Sequence, residues 1–250
     1  ADDPAALVIS EHMRAQVSGM EQAIRNNEVA ISLVQTAEGS MNEISALLVN
    51  IRQRAISAAN VGASDEAMTQ ANQAEIENAL SSIDRIVSST QFGQYKLLDG
   101  TNAEKTTTNE DGSISIKEGL RFHVGPDAGH TASTSIRDMN TSQLGRATVV
   151  EGELPNSSNF MSLADIDVST EQGSQDALNI IDQSITEVAT VRGDLGAFQA
   201  NTLESNLTSL QVAAENMTSA ESTLRDTDMA QELATFTRNQ IMSQSAAAQL

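Results

Sequence analysis

The stretch MRAQVSGMEQAIRNNEVAISLVQTAEGSMNEISALLVNIRQRA, residues 13–55, decides the fold. Met13, Met20, Asn27, Val34, Met41, Leu48 and Ala55 recur at intervals of seven. Val17, Ile24 and Ile31 hold the companion position, after which the phase shifts to Ala37, Ile44, Ile51 and Ala58. Two apolar positions per seven residues make the seam of a coiled coil, and one discontinuity is absorbed by local over- or underwinding. The repeat predicts a single helix from about Pro4 to Asn60, a rod about 80 Å long at ~1.5 Å rise per residue. Asn27 is the polar member of the seam, and one such residue fixes register at a cost in stability.

The segment NVGASDE, residues 60–66, punctuates the rod. Ser64 is the expected N-cap of a second helix, with Asp65 and Glu66 suited to the positive end of its dipole. That helix runs to about Ser89 on a stripe of Ile76, Leu80, Ile83 and Val87, and Gly93 and DGTN at 99–102 end helical order. Between 113 and 140 apolar residues alternate around a GPDAG turn at 125–129, which predicts a β-hairpin with room for a third strand. Residues 141–172 read as a loop with one short helical turn. From about Gly173 the seven-residue spacing returns as Ile181, Val188 and Leu195, then as Leu203, Leu210, Met217 and Leu224. The phase slips between Leu195 and Leu203, beside Gly193 and Gly196, where a bend or repacking is expected. Asp226 or Thr227 would cap a last amphipathic run over 228–245.

The fold class that follows is mainly α: an elongated antiparallel bundle, or coiled coil, of long helices with a small β-hairpin element. Residues 1–100 supply the long helix and the second helix, 101–172 the hairpin and a short variable loop, and 173–250 the long helix that completes the same rod. Antiparallel packing would bury every stripe and bring both chain ends to one end of the rod.

Composition agrees with narrow seams. The chain of 250 residues has five Phe, one Tyr and no Trp, so Ala, Leu, Ile, Val and Met must fill its interior. Its 34 Asp and Glu against 14 Lys and Arg give a formal net charge of −20, which argues against nucleic acid and anionic membranes as partners. No apolar run approaches the roughly 20 residues of a membrane span, and none reads as a secretory signal. Cysteine is absent, which removes disulfides and thiol chemistry.

Few residues suggest chemistry. Arg52 and Arg54 stand on the long helix of an otherwise acidic chain, as contacts to another molecule or as solvated charges. TTNEDGSISIKE, residues 107–118, has calcium-loop spacing through Asn109, Asp111 and Glu118. Thr107 holds the first place where Asp is needed and no helix pair flanks the segment, so a hairpin turn around Asp111 and Gly112 is the preferred reading. His12, His123 and His130 lack metal-ligand spacing on a common helix face. No nucleophile with an assigned base, phosphate loop or cofactor motif is visible, so neither a cofactor nor an enzymatic activity is expected.

The residues resemble bacterial flagellin in four long stretches that occur in the family's order. These are ADDPAALVISEHMRAQVSGMEQAIRNNEVAISLVQTAEGSMNEI, EIENALSSIDRIVSSTQFGQYKLLDG, DVSTEQGSQDALNIIDQSITEVATVRGDLGAFQANTL and AAENMTSAESTLRDTDMAQELATFTRNQIMSQSAAAQL. The resemblance spans nearly the whole chain apart from about 101–112 and 145–165. It implies a structural subunit of the flagellar filament, secreted and displayed at the bacterial surface, that assembles with copies of itself. Members of the family begin some tens of residues earlier and continue past QSAAAQL, so a core region lacking both terminal segments is expected, monomeric by itself. Only about 30 loop residues stand where many members carry large variable domains.

The resemblance further implies an export chaperone bound at about 228–250. It also implies a surface read by a flagellin-sensing innate immune receptor of the host, here at Asn50, Arg52, Arg54 and Glu75. The family pattern has Arg where Asn50 stands and Leu where Arg54 stands, while Glu75 matches. Asn cannot imitate a planar five-donor guanidinium, so weak recognition is expected. The rival reading is a cell-surface adhesin that uses the hairpin and the loop 141–172 to bind a glycan or host protein.

Overall fold

The computed structural model describes residues 4–60, 65–108, 114–117, 119–147, 156–225 and 229–247. Helix α1, Pro4–Ala58, is unbroken over its 55 residues, as the seven-residue repeat requires. Helix α2, Glu66–Ser89, starts one residue later than expected from a Ser64 cap. Asp65 caps it instead, its carboxylate accepting from the Met68 N–H at 2.7 Å. An aspartate caps as well as a serine and adds a negative charge at the dipole's positive end.

The helices run antiparallel. Arg54 and Ser57 of α1 meet Glu75 and Asn72 of α2, so numbers rise on one helix as they fall on the other. Helix α3, Glu171–Ala197, and helix α4, Ser205–Arg225, lie against α1 in the same sense: Arg52 meets Asp182, Glu38 meets Arg192, and Met20 packs with Leu210. Helix α5, Met229–Ala247, follows.

The junction of α3 and α4 explains the slip in the repeat. Leu195 and Leu203 are eight residues apart, one more than a heptad. A π-helical turn over Phe198–Glu204 takes up the extra residue, and both leucines are fully buried. The expected disturbance beside Gly193 and Gly196 is therefore displaced: the two glycines face open space, and the irregular turn lies just beyond them.

Among the described residues the β structure consists of three two-stranded antiparallel ribbons. Strands β1, Gln91–Phe92, and β2, Tyr95–Lys96, flank Gly93. Strand β3, Lys105–Thr108, pairs with β4, Ile114–Lys117, and β5, Leu120–His123, pairs with β6, Thr131–Thr134. The hairpin expected over 113–140 is present as β5–β6, while the first alternating run of that stretch pairs instead with residues 105–108, flanking the separate turn expected around Asp111 and Gly112. Gly119 separates the two ribbons at a point where a Cβ would lie 2.3 Å from the Thr134 carbonyl oxygen.

One core cluster runs from Ala30 of α1 through α2 and α3 to Leu203. It takes in Leu144, Phe160, Leu163, Ile166 and Val168, so the segment read as a loop with one short helical turn, which is the 3-10 turn Leu163–Asp165, packs against the side of the bundle. Beyond it the structure thins. From residue 27 toward its start, α1 is packed by α4, and among the described hydrophobics of this two-helix arm Met20, Ala23 and Leu210 are buried. Of the other seam positions, Val34, Met41, Leu48, Ile51, Ile181, Val188, Leu195 and Leu203 are buried, whereas Met13, Ile24 and Met217 are half-buried. The Leu224 side chain lies outside the described set. Leu7, Val8 and Ile9 on α1 and Phe236, Ile241 and Met242 on α5 are exposed, so the expectation that every stripe is buried does not hold there.

Candidate interaction surface

The outer face of α1 near its C-terminal end carries Asn50, Arg52 and Arg54. Residues two apart on a helix point about 200° apart, so the two arginines leave α1 on opposite flanks. Arg52 reaches α3, donating from Nε to Asp182 Oδ1 at 2.6 Å and from Nη2 to Oδ2 at 3.4 Å. Arg54 reaches α2, with Nε 2.5 Å from Glu75 Oε2. Asn50 is exposed between these two braces, and Val49 and Ile56 are exposed beside them.

The arrangement settles which groups face outward. Both guanidinium groups keep about 43 % of their side-chain surface in water, so the pairs are solvent-screened. The hydrogen bond from Arg52 to Asp182, then their charge attraction, raises the arginine's pKa above its ordinary value. A folded-state pKa above the unfolded one means that this contribution is fully present below the unfolded value and is lost only in strong alkali. The patch is therefore a pair of intramolecular charge clamps framing Asn50. Asp182 as partner of Arg52 escaped the sequence reading, because which carboxylate on α3 faces Arg52 depends on helix rotation.

Side chains of the helices also hold the described residues 138–147 and 156–168. Asp84 of α2 accepts from both the Thr141 N–H and its hydroxyl at 2.9 Å. Gln73 accepts from the Val168 N–H at 3.0 Å and donates to the Ile166 carbonyl at 3.4 Å. Asp176 accepts from the Ser158 N–H and hydroxyl at 3.0 and 2.7 Å. These contacts satisfy backbone groups of 141, 158, 166 and 168 that burial would otherwise leave unpaired.

The remaining candidates are not brought together. Asn109, Asp111 and Glu118, the calcium candidates, lie outside the described residues; what flanks them is the β3–β4 ladder, with Thr108 opposite Ile114. His12 lies on α1, His123 ends β5 and His130 precedes β6. No group of three or more His, Asp or Glu among the described residues could hold a metal ion. No helix among them is long and apolar enough to cross a membrane. At the tips, apolar hollows are lined by Leu7, Val8 and Ala15 on α1 and by Ala234, Ile241 and Met242 on α5.

Comparison with known proteins matches residues 1–103 to the bacterial flagellin N-terminal helical region and residues 178–250 to the bacterial flagellin C-terminal helical region. The chain is 38 % identical over 255 residues to the flagellin of Bacillus subtilis (strain 168), covering all of this chain and 82 % of that protein. It is 34 % identical over 249 residues to the flagellar filament 30.7 kDa core protein of Treponema maltophilum, covering all of this chain and 81 % of that one. Two solved structures share the fold. The crystal structure of Bacillus cereus flagellin aligns at 22 % identity with a TM-score of 0.51, over 79 % of this chain and 94 % of that one. A putative flagellar hook-associated protein from Vibrio parahaemolyticus aligns at 15 % identity with a TM-score of 0.67, over 89 % of this chain and 98 % of that one.

Proposed function

The chain belongs to the bacterial flagellin family, and from that premise we propose how it works. It is a structural subunit of the flagellar filament, the polymer that carries rotation into swimming. The observation that carries this reading is the match of both helical regions of the family to helices that pack together, residues 1–103 over α1 and α2 and residues 178–250 over α3 to α5, with α2, α3 and α4 all lying against α1. Residues 1–100 and 173–250 act as one rod domain, and 101–172 forms the element on its side. A helical polymer joins unlike patches of neighbouring copies, so its bonds are heterologous and distributed along the rod. The protein acts through these contacts and not through a reaction, outside the cell as part of the flagellum.

The test is assembly. The chain, extended at both ends to the length of its relatives, is mixed with short filament seeds and followed by light scattering and electron microscopy. Growth of long filaments is expected; persistent monomers beside intact seeds would contradict the reading.

Two further partners belong to this proposal. An export chaperone binds at about 228–250, supported by the apolar Phe236, Ile241 and Met242 that α5 leaves exposed. The host receptor recognises the α1 face weakly. Asn50 supplies no guanidinium, and Arg54 places a charge where the family has leucine while occupying Glu75 in an ion pair. A receptor-reporter assay matching the potency of a flagellin with the full family pattern would contradict this. No observation favours the adhesin reading.

A further inference from the structure

The β5–β6 hairpin touches the π-helical turn at both of its ends. At the start, the Phe122 ring of β5 lies 6.3 Å from the ring of Phe198, the first residue of the turn. Just past the end, Asn206 donates from Nδ2 to the Val124 carbonyl at 2.5 Å. The same carbonyl accepts from Asn27 of α1 at 3.3 Å, and Asn26 donates to the His123 carbonyl at 3.1 Å. Pro126 seats the hairpin tip on α1 at Gly19, where an added Cβ would lie 3.2 Å from the proline Cβ. Asn27 is fully buried, and its Oδ1 has no partner among the described residues.

We propose that this hairpin is a staple that holds the π turn in place and so sets the rotational phase of α4 against α1. A π turn hides one extra residue in a helix. If that residue is released, or moves along the helix, the segment beyond it turns by about 100° and shifts by ~1.5 Å. A slip of one residue would put Thr202, Ser209 and Asn216 where Leu203, Leu210 and Met217 now sit, so the seam opposes it, but in the arm that seam is thin. Those few apolar contacts carry no direction, whereas a carbonyl that accepts from α1 and α4 together fixes both helices at one point. The hairpin therefore adds a directional constraint to the arm's thin seam, in the single chain and independently of assembly.

The absence of cysteine makes the test clean. Nitroxide labels at Gln16→Cys and Glu215→Cys, both exposed, report the arm; labels at Asn42→Cys and Ala189→Cys report the three-helix part. The parent should give one narrow distance distribution for each pair. Phe122→Ala with Asn206→Ala should add a second arm population, displaced on the order of 10 Å given a helix 10–12 Å across, and leave the other pair unchanged. Deleting Ala200 removes the extra residue, restores seven-residue spacing between Leu195 and Leu203, and should make the arm indifferent to the same two substitutions. A single unaltered arm distribution in the substituted parent would overturn the proposal. So would broadening, or unfolding, that the substitutions cause equally with and without Ala200.

Discussion

The two ends of α1 follow one sequence rule and obtain different structures from it. Between residues 30 and 58 the seven-residue repeat is enclosed by α2, α3 and the pinned residues 138–147 and 156–168, and Val34, Ala37, Met41, Ile44, Leu48, Ile51 and Ala55 are inaccessible to water. Between residues 7 and 27 the same repeat faces α4, and Met13, Val17 and Ile24 remain half-exposed. A heptad repeat specifies which face turns inward; the number of neighbours decides how far that face is removed from water. The body is thus a closed three-helix unit, and the arm is a two-helix extension whose stability rests on fewer buried groups.

The comparison can be broken at its strong end first. Leu48→Ala leaves a cavity where helices converge and should cost about 2–5 kcal/mol, the range for large-to-small core changes. Urea unfolding followed by circular dichroism checks it, and a loss under about 1 kcal/mol would place Leu48 outside the core. Leu210→Asp sets a charge into the arm's seam, where Leu210 is buried with Met20 and Ala23. It should melt the arm and spare the body, so that part of the helical signal is lost at low urea and the rest unfolds near the parent midpoint. An unchanged unfolding curve would mean that the arm has no seam at Leu210.

The strap along the body gives a smaller effect. Asp84→Ala strips two hydrogen bonds from the buried Thr141 and should cost about 1–3 kcal/mol, the range for leaving such groups unpaired. Thr141→Val tested alone and together with it should show non-additivity; strict additivity would mean that the pair does not act as one unit. The smallest effect is expected at the exposed charges. Arg52→Gln and Arg54→Gln should leave the thermal midpoint within measurement error, and a shift of several degrees would mean that the clamps contribute more than screened surface pairs do.

The fold was legible where periodicity carries it. Seven-residue spacing in α1 and α3 identified the inward face, and Ile76, Leu80, Ile83 and Val87 did the same for α2, because a helix repeats its environment every turn. The reading failed where structure is not periodic. Leu144, Phe160, Leu163, Ile166 and Val168 occupy core sites without a repeat, held by Asp84, Gln73 and Asp176 from distant parts of the chain. The interval of eight between Leu195 and Leu203 was visible, but two glycines drew the irregularity toward themselves, whereas the helix placed its extra residue where Phe122 and Val124 could brace it. At the surface, the sequence marked Arg52 and Arg54 as unusual. Their engagement by Asp182 and Glu75 is set by helix rotation, which local patterning leaves open.

The division of α1 into an enclosed body and a thinly packed arm is tested most directly by hydrogen–deuterium exchange resolved along that one helix. Amides of residues 30–58 should exchange only through global unfolding, and those of residues 7–27 should exchange faster, through local opening of the arm. A uniform protection level from one end of α1 to the other would contradict the account.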